Sequence, residues 1–154
     1  MSVNVERWGE GVRLSQPRLR HVAFEWRGEN ALSMLPRFQF GMQLYRYSFS
    51  LLGVDFTVTE IDNSDLTCSV TYHVVFEIED GSPESHQMDR ALRMLAAQVA
   101  PTTLYPFCRE ALVSMANRAG LTEFVLPVTN VGALWTPEGI DLPAPPAPFE
   151  WGVG

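Results

Sequence analysis

The chain has 154 residues, a formal net charge of -7 and a hydrophobic content of 46%, which together predict a single acidic globular domain. The negative charge argues against a nucleic-acid-binding protein, because phosphate contacts require a basic surface. No stretch reaches the ~18 apolar residues that a membrane span requires, so membrane insertion is not expected. Residues 1–11 hold no apolar secretory signal, and the cytoplasm is the expected compartment.

The first half of the sequence predicts an antiparallel sheet, a meander or Greek key of about four strands. The four predicted strands are Leu14–Arg27, Phe38–Phe49, Val54–Ile61 and Leu66–Glu79, with a polar turn at Asp62–Asp65. In the longest strand apolar and polar residues alternate throughout, which favours a sheet that is covered on one face only. In the second strand the apolar set changes phase near Leu44, which predicts either a bulge or apolar side chains on both faces.

The second half predicts two helices separated by Pro101. Ser82-Pro83 has the residue types that begin a helix, and apolar residues then recur at three- and four-residue steps until Pro101. A second helix is expected over Thr103–Gly120. Pro106 would lie in its first turn, where the backbone amides have no intrahelical partner. The predicted fold class is therefore α+β.

Prolines mark the end of the predicted domain. The apolar segment after Gly120 is interrupted by Pro127, and Asn130 is a residue type that caps helices. Residues 137–154 contain five prolines, which predict an extended or disordered tail that does not pack. The expected organisation is one domain at residues 1–136, followed by this tail.

The sequence contains no pattern typical of catalysis or metal binding. It has no P-loop, no GxGxxG after a strand, no HExxH and no CxxC. The histidines, His21, His73 and His86, lie on three different predicted elements and have no ligand spacing. Cys68 and Cys108 each lie in an apolar pattern, so free core thiols are expected. We therefore expect neither an enzyme nor a bound cofactor or metal.

One segment is specific enough to suggest a family. Pro101–Gly120, "PTTLYPFCREALVSMANRAG", followed by "LPVTNVGALW" at Leu126–Trp135, resembles the SecB family of bacterial protein-export chaperones. The shared features are an aromatic-proline-aromatic helix start, an Arg-Glu pair, a crossover segment with proline, and a last helix beginning with asparagine. "VAFE" at Val22–Glu25 is also in register, and the resemblance covers roughly Leu14–Trp135. It implies a four-stranded antiparallel sheet with helices on one face.

The resemblance also implies a function. Family members are holdases that use no ATP, assemble as homotetramers (dimers of dimers), and bind unfolded client polypeptides for export or, in some members, an antitoxin. Their apolar grooves lie between the sheet, the crossover segment and the helix. The groove candidates in this sequence are Phe38, Phe40, Met42, Leu44, Phe124, Leu126, Val131, Leu134 and Trp135.

The family passes clients to the translocation motor SecA through acidic residues on the outer face of the sheet. Of the corresponding positions, Glu25 keeps an acid, whereas His21 and Ser69 stand where the family has acids. Thr67 stands where the family has an apolar residue. The resemblance thus implies a SecA-docking face from which two of three acids are missing.

Two other functions are compatible with the same patterns. The first is a small-molecule-binding or cyclase-like α+β domain with a pocket between the sheet and the helices. The second is a structural subunit of a larger assembly, because such a protein would also carry apolar interfaces.

Overall fold

The structure is a computed structural model, and it describes residues 11–28, 36–61, 65–79, 84–121, 124, 126 and 129–147. Within these ranges the chain is an α+β fold, as predicted. The antiparallel strands are β1 (Val12–Leu14), β2 (Arg18–Trp26), β3 (Phe38–Ser48), β4 (Leu51–Glu60) and β5 (Leu66–Ile78). The helices are α1 (Ser85–Met94) and α2 (Ala100–Arg118), joined by the π-helical segment Leu95–Val99.

Over the described part of the chain the sheet has five strands but is four strands wide. Its order is β3-β4-β5, and both β1 and β2 pair with the remaining edge of β5. The predicted strand Leu14–Arg27 is therefore two strands. Pro17 has no backbone N–H for the ladder, and Ser15 bridges the gap: its N–H donates to the Val75 carbonyl, and its Oγ accepts from the Val75 N–H, both at 2.9 Å.

Strand β3 has no bulge at Leu44. Its pairing with β4 keeps one register over Phe38–Arg46, and the irregularity lies farther on, between Arg46 and Ser48. The side chains therefore alternate regularly, and of the two predicted explanations the second is correct. Apolar residues occupy both faces, with Leu44 toward the core and Tyr45 and Tyr47 on the opposite face.

The predicted helix break at Pro101 is wrong, because helical residues run without interruption from Ser85 to Arg118. The wider π-helical turns directly precede Pro101, where an α-helical turn would bring the proline ring against a carbonyl. Pro106 lies inside α2 and not in a first turn, so this prediction is also wrong. Burial of the helix against the sheet outweighs the local signals from proline.

Both ends of the helical region are capped locally. The N-terminal end lies at Glu84, whose N–H donates to the side-chain oxygen of Gln87 at 3.3 Å. The C-terminal end is followed by Gly120, whose φ of 86° is the left-handed conformation expected of a glycine that terminates a helix. The residues proposed to start the helix, Ser82 and Pro83, lie outside the described residues, as do Pro127 and the turn residues 62–64.

The core fills the space between the inner face of the sheet and the helices. The largest fully buried side chains come from both layers: Leu52, Val54, Phe56, Val58, Leu66, Val70, Phe76, Leu92, Leu95, Leu104, Leu112 and Leu126. Cys68 and Cys108 are free and buried among them, as expected. The Cys108 Sγ lies 4.0 Å from the carbonyl oxygen of Phe56 on β4. At this contact, core side chains occupy the place where a ligand pocket between sheet and helix would lie.

The proline-rich segment packs where it was expected not to. Residues 140–147 have no helix or strand, and a short 3-10 turn, Pro137–Gly139, precedes them. However, Ile140 is only 7% exposed, and Leu142 packs against the core. The expectation of an unpacked tail is wrong for these residues because isoleucine and leucine among the prolines bury their side chains. Residues 148–154 lie outside the described residues.

Candidate functional site

Strand β3 is an edge strand with an apolar inner face. Among the described residues it pairs only with β4, so its other backbone edge has no strand partner. Phe38, Phe40, Met42 and Leu44 lie on the inner face and are only partly buried against the core. An open backbone edge next to partly exposed apolar side chains is the arrangement that can add a further strand.

Aromatic side chains form a firm base beneath β3. The ring of Phe40 stacks on Phe56 of β4 at 6.0 Å between centroids and meets Tyr105 of α2 edge-on at 5.7 Å. Trp135 also meets Phe56 edge-on, at 6.1 Å. These contacts connect the edge strand, the helix and the segment after α2, which are the three elements expected to form a groove.

Three of the predicted groove residues belong to the core. Phe124 is 3% exposed and lies edge-to-face against Phe24 of β2 and Phe38 of β3, at 6.2 and 6.0 Å. Leu126 and Val131 are also buried. In this conformation these three side chains support the groove from beneath, and they do not line its surface.

Three of the other predicted residues, Met42, Leu44 and Trp135, line a shallow depression beside β3, whereas Phe38 and Phe40 do not reach it. It has a volume of about 280 Å³, and its lining consists of Met42, Gln43, Leu44, Trp135, Gly139, Ile140, Asp141 and Pro143. The structure therefore brings Trp135 together with two predicted residues of β3. Leu134 is 44% exposed but does not line this depression. Sequence reasoning missed the contribution of residues 139–143, since these were assigned to an unpacked tail.

A second depression, of about 470 Å³, lies between α2 and the segment that follows it. Its lining is Tyr105, Pro106, Arg109, Glu110, Val113 and Thr129. None of these residues was predicted as a groove residue. A signal was present, however: Pro106 and Val113 are apolar residues of α2 that lie off its buried stripe, whereas Tyr105 belongs to the core and presents only one edge to the depression. Burial raises the pKa of Tyr105, so its phenol remains neutral at ordinary pH.

The opposite face of the sheet carries a nearly buried polar cluster around Asp55. The Asp55 carboxylate accepts hydrogen bonds from Arg20 Nη1 at 3.0 and 3.1 Å, and from the Tyr45 hydroxyl at 3.0 Å. His73 Nδ1 lies 2.7 Å from the same carboxylate. The hydrogen bond to Asp55 raises the pKa of Arg20, and burial followed by the bond to Asp55 raises the pKa of Tyr45.

The predicted docking residues also lie on this outer face, as one patch across β2 and β5. Glu25 is directly opposite Thr67, and Ser69 is opposite Ala23. His21 lies earlier on β2, opposite Thr71, and is exposed. The patch is largely hydroxyl-lined, and Ser69 Oγ lies 3.2 Å from Thr59 Oγ1.

The one acid of the patch is paired. Both carboxylate oxygens of Glu25 accept from Arg27, at 3.0 and 3.1 Å, and this hydrogen bonding lowers the pKa of Glu25. The carboxylate is therefore ionised at neutral pH, but an arginine neutralises it locally. Among the described residues, the positions that the resemblance assigns to SecA docking hold one paired acid and no acidic patch.

The two thiols are poorly placed for chemistry. Burial raises the pKa of Cys68 and of Cys108 to about 12, so the thiolate, which is the nucleophile, is scarce at neutral pH. Among the described residues no group of three or more His, Cys, Asp or Glu side chains is arranged to hold a metal ion. In the same part of the chain no helix has the length and apolar character needed to cross a membrane.

Comparison with solved structures identifies a similar fold. A SecB-like chaperone of Mycobacterium tuberculosis, Rv1957, solved in complex with a ChAD peptide from the HigA1 antitoxin Rv1956, superposes with a TM-score of 0.64. The match covers 80% of this chain and 95% of that chain, at 18% sequence identity. This likeness shows the fold.

Sequence comparison shows the family. No curated protein matches the chain. The family described as preprotein translocase subunit SecB matches residues 44–139, which is more than half of the chain and includes β4, β5, both helices and the groove segment at Trp135. The chain therefore belongs to the SecB family.

Proposed function

We propose that this chain is an ATP-independent holdase, which binds non-native polypeptides along β3 and the two adjoining depressions. The observation that carries the proposal is the edge of β3: an eleven-residue strand without a described partner on one side, whose inner face holds four partly exposed apolar side chains. Proteins that act alone seldom leave such an edge open, because it attracts other extended chains. In a holdase this attraction is the function.

The arrangement explains how a client would be bound without strict sequence selectivity. An extended client can pair its backbone with β3, which requires no particular side chain. Its apolar side chains can then enter the depression next to Met42 and Trp135, and each Å² of apolar surface removed from water contributes about 25 cal/mol. Methionine adapts to different client side chains because its side chain is unbranched and polarisable.

We propose a homotetramer, built as a dimer of dimers, as the working assembly. Exposed apolar side chains outside the core support this assembly: Leu14, Leu19 and Phe107 are each more than a third exposed. The ring of Phe107 lies 5.6 Å from that of Tyr72 on β5, which pairs with Leu19 in the ladder. These residues therefore form an apolar surface at the β2 side of the sheet, distant from the groove at β3.

We further propose an antitoxin, and not a secretory precursor, as the natural client. The similar fold of Rv1957 was solved with an antitoxin peptide, which supports this choice. The paired Glu25 and the missing acids at His21 and Ser69 make delivery to SecA the weaker route. Purified SecA is expected to bind this chain at least ~tenfold more weakly than it binds a family member with all three acids, which is ~1.4 kcal/mol.

The test is suppression of aggregation of a chemically unfolded protein, measured by light scattering without nucleotide. Wild type is expected to suppress aggregation at about one client per tetramer, and Met42→Glu to lose this activity, because a charge would replace an apolar contact in the groove. Gln39→Glu is the matched control at an exposed position of the same strand, outside the depression, and it should hold clients normally. Light scattering by the chain alone gives its mass; a monomer that leaves the client to aggregate would contradict the proposal.

A further inference from the structure

A buried arginine ties three distant parts of the chain together. The side chain of Arg46, at the end of β3, is 1% exposed. Its Nη2 donates to the Phe49 carbonyl at 2.9 Å and to Asp89 of α1 at 2.8 Å, while its Nη1 donates to the carbonyl of Pro143 at 3.1 Å. Its Nε is buried and has no hydrogen-bond partner among the described residues. This guanidinium is therefore held in a fixed position that faces a main-chain carbonyl of the C-terminal segment.

The segment that Arg46 holds lies against the groove. We define the strap as residues 141–143; Ile140, which is buried, forms its fixed end. Asp141 and Pro143 line the same depression as Met42, Leu44 and Trp135, and Leu142 packs against the core. The described backbone hydrogen bonds include none between the strap and β3. The strap is thus held by side-chain packing and by the bond from Arg46.

The packing of the strap resembles that expected of a client, and the bond from Arg46 is its additional restraint. The strap is extended, proline-bearing and apolar at Leu142, and it offers a carbonyl to a fixed guanidinium beside the groove. It forms one wall of the depression that Met42, Leu44 and Trp135 also line, and among the described residues it leaves the backbone edge of β3 open. Because these contacts are few and local, the strap can detach at a small free-energy cost compared with unfolding of the whole domain.

We propose that the strap is an intramolecular competitor of the client: it occupies the β3 side of the groove when the chain is empty, and Arg46 releases Pro143 when a client enters. The proposal rests on the proposed function of the groove. It also names the client class, which is an extended apolar segment whose side chains enter the depression that Asp141 and Pro143 line, without needing the hydrogen bond from Arg46. Apparent client affinity is then reduced by the fraction of molecules in which the strap is closed.

The first test follows the strap by thiol labelling. Leu142→Cys is labelled with a disulfide reagent at pH 8, with and without reduced, carboxymethylated α-lactalbumin, an unfolded polypeptide whose own thiols are blocked. The native cysteines interfere little because burial raises the pKa of each to about 12. Labelling of the thiol introduced in the strap should accelerate about tenfold when client is bound. Ala147→Cys, at an exposed position beyond the strap, should label at one rate in both states.

The second test removes the hydrogen bond from Arg46 that holds the strap. Arg46→Met keeps most of the length of the side chain but removes its donors, and it should tighten binding of the same polypeptide by up to about tenfold. Asp89→Asn is the matched control: it removes the carboxylate that pairs with Arg46 but leaves the donor that reaches Pro143 in place, so affinity should stay near that of wild type.

The outcomes distinguish failure of the strap proposal from failure of the proposed holdase function. If wild type binds the polypeptide and the labelling rate of the Leu142→Cys variant stays unchanged, the strap is structural and the proposal is overturned, even if Arg46→Met does not fold. Unchanged affinity of a folded Arg46→Met would overturn it as well. If no variant binds the polypeptide at all, the holdase function itself fails, and the competitor has nothing to compete with.

Discussion

Asp55 and His73 lie directly opposite each other on β4 and β5, with 2.7 Å between Oδ1 and Nδ1 and each side chain 10% exposed. The carboxylate also accepts hydrogen bonds from Arg20 of β2 and Tyr45 of β3. One acid therefore joins the four strands β2, β3, β4 and β5. Such a buried acceptor stabilises the fold mainly because its partners would be left unsatisfied without it.

Asp55→Asn is therefore expected to lower the free energy of unfolding by about 2–3 kcal/mol, as measured by urea denaturation. The amide keeps the shape of the side chain but cannot accept all of these bonds. Glu77→Gln, an exposed position on the same face of β5, should change stability by less than ~0.5 kcal/mol. Client binding by the folded Asp55→Asn protein should match wild type, because the groove lies on the other face. Weakened binding at full stability would contradict this separation of the two faces.

The two glycines of the outer face should respond differently to alanine. A Cβ at Gly53 would lie 2.7 Å from the ring of Tyr47 and 2.8 Å from that of His73, so Gly53→Ala should cost about 1–3 kcal/mol by overpacking. A Cβ at Gly41 would meet Thr57 only at 4.0 Å, so Gly41→Ala should be neutral or stabilising by up to ~1 kcal/mol. Equal melting temperatures for the two variants would show that Tyr47 and His73 move aside freely.

Strands could be predicted from sequence where burial of one face alone determined the residue pattern. Alternation along β4 and β5 reports burial of a single face, and both strands were predicted to within a few residues. In β3 two signals coincide, since Tyr45 and Tyr47 support the polar cluster of the outer face while Leu44 faces the core. The change of apolar residues from one face to the other is present in the sequence, but the strand accommodates it without a bulge.

The groove could be predicted only in part. The partial exposure of the inner-face residues of β3 could be predicted because their alternation is visible locally, whereas the burial of Phe124 depends on rings from β2 and β3 together. The role of the C-terminal segment was hidden for the same reason. Arg46 and Pro143 are 97 residues apart in sequence, and no local pattern indicates that a buried guanidinium donates to that carbonyl.

The facing of α2 can be tested by adding charge. Leu112 is fully buried, so Leu112→Asp should cost more than ~4 kcal/mol and prevent folding, because the carboxylate would be buried without a partner. Ser114→Asp places the same charge on the exposed side of the helix and should fold normally. Circular dichroism and expression level distinguish the two, and a well-folded Leu112→Asp would show that the helix faces another way.

The two thiols predict a loss of stability in alkali. Burial raises the pKa of Cys68 and Cys108 from 9.0 to about 12, so the folded state keeps them neutral where the unfolded state ionises them. Their contribution is therefore fully present below about pH 9 and is lost progressively as the pH rises toward 12. At pH 8 the thiolate fraction should be lower than that of an ordinary thiol by about three orders of magnitude. Ellman's reagent should react slowly with the native protein, quickly after unfolding in guanidinium, and quickly with the exposed control Ser114→Cys.

Trp135 separates client holding from stability. Its ring contacts Phe56 on one side and lines the depression beside Met42 and Leu44 on the other, while remaining partly exposed. Trp135→Ala should raise the dissociation constant for an unfolded client by about 30-fold, or ~2 kcal/mol, because an aromatic anchor at the centre of an apolar site carries much of the binding energy. It should lower the free energy of unfolding by only about 1 kcal/mol, since a partly exposed ring leaves a small cavity. Leu92→Ala is the opposite case, with an expected loss of about 2–5 kcal/mol in stability and little change in client affinity for the molecules that remain folded, because Leu92 is fully buried and lines neither depression. Client anisotropy titrations and urea melts of both variants give the two numbers; if Trp135→Ala lost as much stability as binding energy, Trp135 would be a core residue and not part of the client surface.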